Sequence, residues 1–224
     1  MATIRLFTFP PSQNAVRTEI ALNEKGLVFE RVELDLLAGE HKQPPLSQLS
    51  PRMQAPTLVM PTSDGELVVY ESIATIRLID DLFPDPPLMP PASEPRRRAA
   101  ALMRIEEFQA KLDPKNIFGS VLFARKSKDE LAARIDALVA ELEHWERYAT
   151  GTRFLAGEQF TLADIAVFPV LMHFEILGFP FADTTPALAD YINRCKQRES
   201  VVKTGWLPRL QAFVAERAPE RVLA

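Results

Sequence analysis

The hydrophobic and polar positions change period along the chain, and each change marks an element. Residues 4–9 alternate and are rich in β-forming side chains, which predicts a strand. Past two prolines the spacing turns helical at Val16, Ile20 and Leu22, with Ser12 or Asn14 placed to cap and Lys25-Gly26 placed to stop. The stretch "LVFERVEL" (27–34) alternates again as a second strand. After a polar segment, "APTLVM" (55–60) and "ELVVYE" (66–71) read as two more strands, with a turn at Ser63-Asp64-Gly65. The helical period returns in "SIATIRLIDDLF" (72–83), where Ile73, Ile76 and Ile79–Asp80 fall on neighbouring turns. A βαβ unit followed by ββα suits a small mixed sheet covered by helices.

Proline density then rises in "FPDPPLMPPASEP" (83–95), a segment that stays extended and joins neither neighbour. Beyond Ser93 no strand pattern competes. Leu131, Ile135, Leu138, Leu142 and Trp145 form one stripe on a long helix, and residues 162–177 are apolar nearly all round, as in a helix enclosed by others. These patterns predict an α/β domain over 1–83, a linker over 84–94 and an all-α domain over 95–224, with no internal repeat.

Composition narrows the function classes. The 224 residues are 47% hydrophobic and 25% charged, the balance of a soluble globular protein. A net charge of −4 offers no basic field for nucleic acid or an anionic membrane, and the one basic run, Arg96-Arg97-Arg98, reads as a solvated helix face. The single cysteine, Cys195, excludes an internal disulfide framework and any CxxC pair. No apolar run is long enough to span a bilayer and no leader pattern precedes the first strand, so the expected location is cytoplasmic.

Several short motifs bear on chemistry. Ser12 is either the plain N-cap of the first helix or a reactive hydroxyl set beside that helix's unpaired N–H groups. Pro56 either initiates a strand in the ordinary way or follows a cis bond that leaves the Ala55 backbone groups facing an extended peptide. Ser72, after Glu71, caps a helix or joins its first N–H groups in holding a carboxylate, while Glu71 could hold an ammonium. His41 and Lys42 share the polar loop "GEHKQP" (39–44), where they could hold a second carboxylate. His144 and His173 have no metal-ligand spacing with His41, and His173, on an apolar helix, reads as a core residue. Thr161 and Asp164 in "FTLAD" form a capping box with Phe160 as its staple, a structural role. No phosphate loop, HExxH or GxSxG motif occurs.

In order and spacing these features resemble the cytosolic glutathione transferases over nearly the whole chain. The N-terminal half is most similar to the serine-type groups, above all the phi class of plants. The family's Ser-x-Asn segment followed by arginine matches Ser12, Asn14 and Arg17; its "GEHK" loop matches 39–42; its Gln-x-Pro matches Gln54-Ala55-Pro56; its Glu-Ser pair matches Glu71-Ser72. The stretch "FLAGEQFTLADIAVFP" (154–169) is similar to the family's second-domain signature. The chain departs from the family at Arg52-Met53, where Phe-Gly is usual, at Pro10-Pro11 in place of an aromatic, and at Ile73 in place of arginine.

The resemblance implies an α/β thioredoxin-like N-terminal domain that holds glutathione and an all-α C-terminal helical domain that supplies a hydrophobic pocket. It assigns catalysis to Ser12 with Asn14, and glutathione binding to His41, Lys42, Gln54, Ala55, Pro56, Glu71 and Ser72. Within that set Glu71 and Ser72 take the γ-glutamyl end, Ala55 pairs with the cysteinyl backbone, and His41, Lys42 and Gln54 surround the glycyl carboxylate. The pocket falls to Phe108, Ile117, Phe118, Leu122 and Phe123. The implied activity adds glutathione thiolate to a hydrophobic electrophile for detoxification, with glutathione as co-substrate, no metal and a homodimeric assembly. A binding or scaffolding protein of the same fold is the competing expectation, since fold and function separate. Disulfide exchange would need a cysteine beside position 12, and there is none.

Overall fold

A computed structural model of the chain describes residues 3–217 and 222–224. The chain divides into two compact units, Met1–Pro86 with Glu199–Arg209 and Pro87–Arg198 with Leu210–Ala224. The first unit is built on a four-stranded sheet of β1 (Ile4–Thr8), β2 (Phe29–Glu33), β3 (Thr57–Thr62) and β4 (Gly65–Tyr70), in the order β2-β1-β3-β4. β1 runs parallel to β2 and antiparallel to β3, which is antiparallel to β4. The parallel pair needs a crossover, and helix α1 (Gln13–Glu24) provides it. A short helix, α2 (Leu46–Leu49), precedes β3, and α3 (Ser72–Leu82) follows β4. Every element predicted for this half is present within a residue or two of its predicted ends. One face of the sheet buries Phe7 and Val59 with Leu34 and Leu46, and α1 packs on α3.

α1 also buries charge. Glu19 accepts from Nε of Arg31 at 2.8 Å, and burial raises its carboxyl above the ordinary value. Lys25 at the C-terminal end donates to Oδ1 of Asp80 on α3 and to the Pro86 carbonyl, both at 2.5 Å. Each ion pair therefore joins α1 to a different neighbour and gives a buried charge, Glu19 or Lys25, the partner it needs to stay charged. The late segment carrying α10 (Glu199–Val202) belongs to this unit through polar bonds. Nδ2 of Asn23 donates to the Ser200 carbonyl at 2.9 Å, and Arg209 donates to the Glu33 carboxylate and, at 3.0 Å, to the Thr204 carbonyl.

The second unit is helical: α4 (Pro95–Glu107) runs on into a wider turn over Phe108–Leu112, then come α5 (Phe118–Leu122), α6 (Lys128–Ala149), α7 (Leu162–Ile176), α8 (Phe181–Thr184) and α9 (Pro186–Lys196). α11 (Trp206–Arg217) closes the helical series among the described residues. α6 starts at a capping box of Ser127 and Glu130 and buries Leu131, Leu138, Leu142 and Trp145 along its stripe. α7 is buried from Leu162 through Phe174 and continues through Pro169. Its start is the expected capping box. Asp164 accepts from the Thr161 N–H at 2.7 Å, from the Thr161 hydroxyl at 3.1 Å and from the Leu155 N–H at 3.0 Å. Phe160 packs edge-on against Phe154, and the buried His173 stacks on Phe118 with ring centroids 3.6 Å apart. Among the described residues no helix is long and apolar enough to cross a membrane.

Candidate active site

The sheet register gathers the candidate residues of the first unit at one edge. Thr8 at the end of β1 pairs with Glu33 at the end of β2; Phe7 pairs with Thr57 at the start of β3, and Thr57 pairs with Tyr70 at the end of β4. The loops that leave these positions therefore emerge together. They carry Ser12 and Asn14 after β1, His41 and Lys42 after β2, Gln54 to Pro56 before β3, and Glu71 and Ser72 after β4. Residues up to sixty positions apart become neighbours because parallel β1 and β2 end on the side where antiparallel β3 begins.

Ser12 is the N-cap of α1, its oxygen accepting from the Ala15 N–H at 3.2 Å. A hydroxyl oxygen that accepts at a cap still has its proton to donate. Asn14 and Arg17 follow in the next turn. Nη1 of the buried Arg17 donates to Oδ1 of Asn14 and, at 3.3 Å, to Oγ of Ser72 in the first turn of α3. This bond connects the two ends of the candidate site. In sequence Arg17 only matches a family position, with no role attached to it. Its signal was an arginine at an inward position of an otherwise apolar stripe.

Glu71 precedes α3 in an unusual conformation, φ 70° and ψ 109°, and gives no side-chain cap to the helix. A non-glycine residue there costs of order 1–3 kcal/mol, a strain that clusters at ligand-holding positions. The first N–H groups of α3, next to the Ser72 hydroxyl, receive no cap from the Glu71 side chain.

The loop after β2 is shaped by Asp35, whose Oδ1 accepts from the Leu37 and Ala38 N–H groups at 2.8 and 3.0 Å, while Glu40 accepts from the Asp35 N–H at 2.7 Å. Gly39, at φ 81°, turns the chain into the short 3-10 segment Glu40–Lys42. His41 is half-buried, its Nδ1 enclosed without a hydrogen-bond partner among the described residues, and Lys42 is exposed. Before β3 the Ala55–Pro56 bond is cis, as one reading of the sequence had it. Gln54 is exposed and its carbonyl accepts from the Thr57 hydroxyl at 2.9 Å.

In the helical unit the five apolar candidates divide. Phe108, Ile117, Phe118 and Leu122 are enclosed in the core, whereas Phe123 is 50% exposed and tilts against Phe213. Phe118 is engaged by His173, so its ring is part of the packing of α5 on α7.

A mixed four-stranded sheet covered by helices, followed by an all-helical unit, defines a thioredoxin-like fold with a helical partner unit. Comparison with known proteins agrees with this class. The family model for the glutathione S-transferase N-terminal domain matches residues 2–81, and that for the C-terminal domain matches residues 94–199. Glutathione S-transferase 3 of Zea mays is 34% identical over 76% of this chain and 79% of its own. Glutathione S-transferase U19 of Arabidopsis thaliana is 31% identical over 94% of each chain. Among solved structures, a glutathione S-transferase from the Antarctic clam Laternula elliptica superposes with a TM-score of 0.83 at 26% identity, covering 99% of each chain. The chain belongs to the glutathione S-transferase family, and its enzymatic class is that of a glutathione S-transferase.

Proposed function

We propose that the enzyme is a serine-type transferase, nearest in its N-terminal half to the phi class, that joins the glutathione thiolate to an electrophilic carbon of an apolar small molecule. The observation that carries this reading is Ser12, whose oxygen is occupied as a cap while its proton remains to donate at the start of α1. A free thiol of pKa about 8.5 is only a few per cent ionised at neutral pH. A hydroxyl donating to the sulfur, beside the N–H groups of a helix start, favours the anion. The thiol proton passes to water, the sulfur lone pair forms a C–S bond, and on an aryl halide the halide leaves with the bonding pair.

In this reading Ser72 and the first N–H groups of α3 take the γ-glutamyl carboxylate, and Glu71 takes the ammonium. Ala55 pairs with the cysteinyl backbone through an N–H and C=O that form no bond among the described residues. His41, Lys42 and Gln54 surround the glycyl carboxylate, with Pro56 ending that loop. Asn14 supports Ser12. Of the five apolar residues named for the second substrate, Phe123 offers the most surface. The assembly is a homodimer in the cytoplasm, and detoxification is its role.

The test is conjugation itself. Purified protein with glutathione and a generic aryl halide should release halide and form the thioether. Tight glutathione binding in a calorimeter without turnover on a panel of electrophiles would favour the binding or scaffolding reading instead.

A further inference from the structure

Arg17 joins the two ends of the candidate site. It is 1% exposed, and its Nη1, which carries two hydrogens, donates to Oδ1 of Asn14 and to Oγ of Ser72. A guanidinium has five donors, no acceptor, and remains charged throughout the working pH range. Its partners are therefore forced to accept on the side that faces it. Ser72, with its oxygen engaged by Arg17, has its single proton left for a ligand, and no acceptor among the described residues takes it. Asn14 must turn its carbonyl oxygen toward Arg17, which directs its two Nδ2 hydrogens away from the guanidinium.

We propose that Arg17 is a positioning residue that fixes the hydrogen-bond polarity of the site: it makes donors of Ser72 and Asn14 and holds a permanent positive charge beneath the carboxylate end of glutathione. This rests on the glutathione site described above. A hydroxyl and a carboxamide are each both donor and acceptor, so neither alone prefers an anion. With Arg17 behind them, both present hydrogens outward. The charge acts through a buried, weakly screened environment, where it is felt more strongly than at a surface. The exposed carboxylate of Glu71, next to Ser72, is left to select the ammonium beside it.

Steady-state kinetics of Arg17→Gln and Arg17→Lys, with glutathione and an aryl halide varied independently, test this. Arg17→Gln should raise the glutathione KM about tenfold or more, since the buried Ser72 hydroxyl and the exposed Asn14 amide both lose a charged partner, and leave the aryl halide KM unchanged. Arg17→Lys, which retains the charge, should recover part of the loss. In a Ser72→Ala background the same Arg17→Gln change should cost much less, as residues acting through one another do. Equal damage to both KM values, or a full loss in the Ser72→Ala background, would reduce Arg17 to a prop of the fold and overturn the proposal. Ser72→Ala alone leaving the glutathione KM intact would instead overturn the site assignment beneath it. Should Arg17→Gln fail to fold, arginine-selective 15N spectra of the natural chain decide. One guanidinium signal should move on adding glutathione and in both Asn14→Ala and Ser72→Ala; the absence of such a signal overturns the proposal.

Discussion

At the scale of single residues, Ser12 shows why a cap and a reactive group need not be alternatives. Its oxygen accepts from Ala15 at 3.2 Å and its proton is a separate resource. Ser12→Ala should cost about 1 kcal/mol of stability through the lost cap. It should leave glutathione affinity nearly unchanged. If the hydroxyl lowers the thiol pKa by roughly two units, its removal should cut turnover at pH 7 by tenfold or more. The rising limb of the pH–rate profile should move to higher pH, so that activity recovers toward pH 9. An unchanged profile would leave Ser12 a cap alone. Arg17 makes the same point from the opposite direction: a residue never exposed to substrate sets what its neighbours can offer.

At the scale of elements, the buried start of α7 is where pH acts on the fold. Burial pushes the Asp164 carboxyl up to about 6, against bonds from Leu155 and Thr161 that pull it down. Tyr191 and Cys195, both buried, are held protonated by the same apolar surroundings. Because the folded value lies above the unfolded one, the folded chain binds the proton more tightly. The stability this gives is complete below about pH 4 and is lost as pH rises through 6. Asp164→Asn has no proton to lose. The stability of the natural chain relative to Asp164→Asn should therefore fall between pH 4 and 7, by at most about 3 kcal/mol. Denaturant melts at several pH values measure it, and a constant difference across that window would show that the capping bonds outweigh burial.

At the scale of the whole molecule, ligand and assembly both couple to folding. Glutathione at about 100 times its dissociation constant should add roughly 2.7 kcal/mol to stability, raising the melting temperature. Glu71→Ala or Ser72→Ala should remove most of that increment. No shift with millimolar glutathione in the natural chain would count against the site as assigned. Light scattering at micromolar concentration should report twice the 25.2 kDa chain mass if the proposed homodimer forms, closed two-fold pairs being the commonest assembly among soluble oligomers. A species of chain mass would contradict the homodimer.

How much was legible in the sequence follows from how local each feature is. The four strands, α1, α3 and the long α6 rest on periods of two and 3.6, and the buried α7 on a run apolar nearly all round, so the residue pattern alone announced them. The capping box at Thr161 and Asp164 is equally local, its partners three positions apart. The candidate loops were readable as motifs, yet their meeting at one edge required the register that pairs Phe7 with Thr57 and Thr57 with Tyr70. Placing Arg17 against Ser72, 55 positions away, took the packing of α1 on α3. The assignment of residues 199–209 to the sheet unit likewise depended on Asn23, Arg31 and Arg209 finding partners across 170 or more residues. Sequence also named Phe108, Ile117, Phe118, Leu122 and Phe123 as equals, whereas packing enclosed four and left Phe123 half exposed. A periodic pattern records which face of a helix is apolar. Only the neighbours that cover that face decide which apolar residue remains for a ligand.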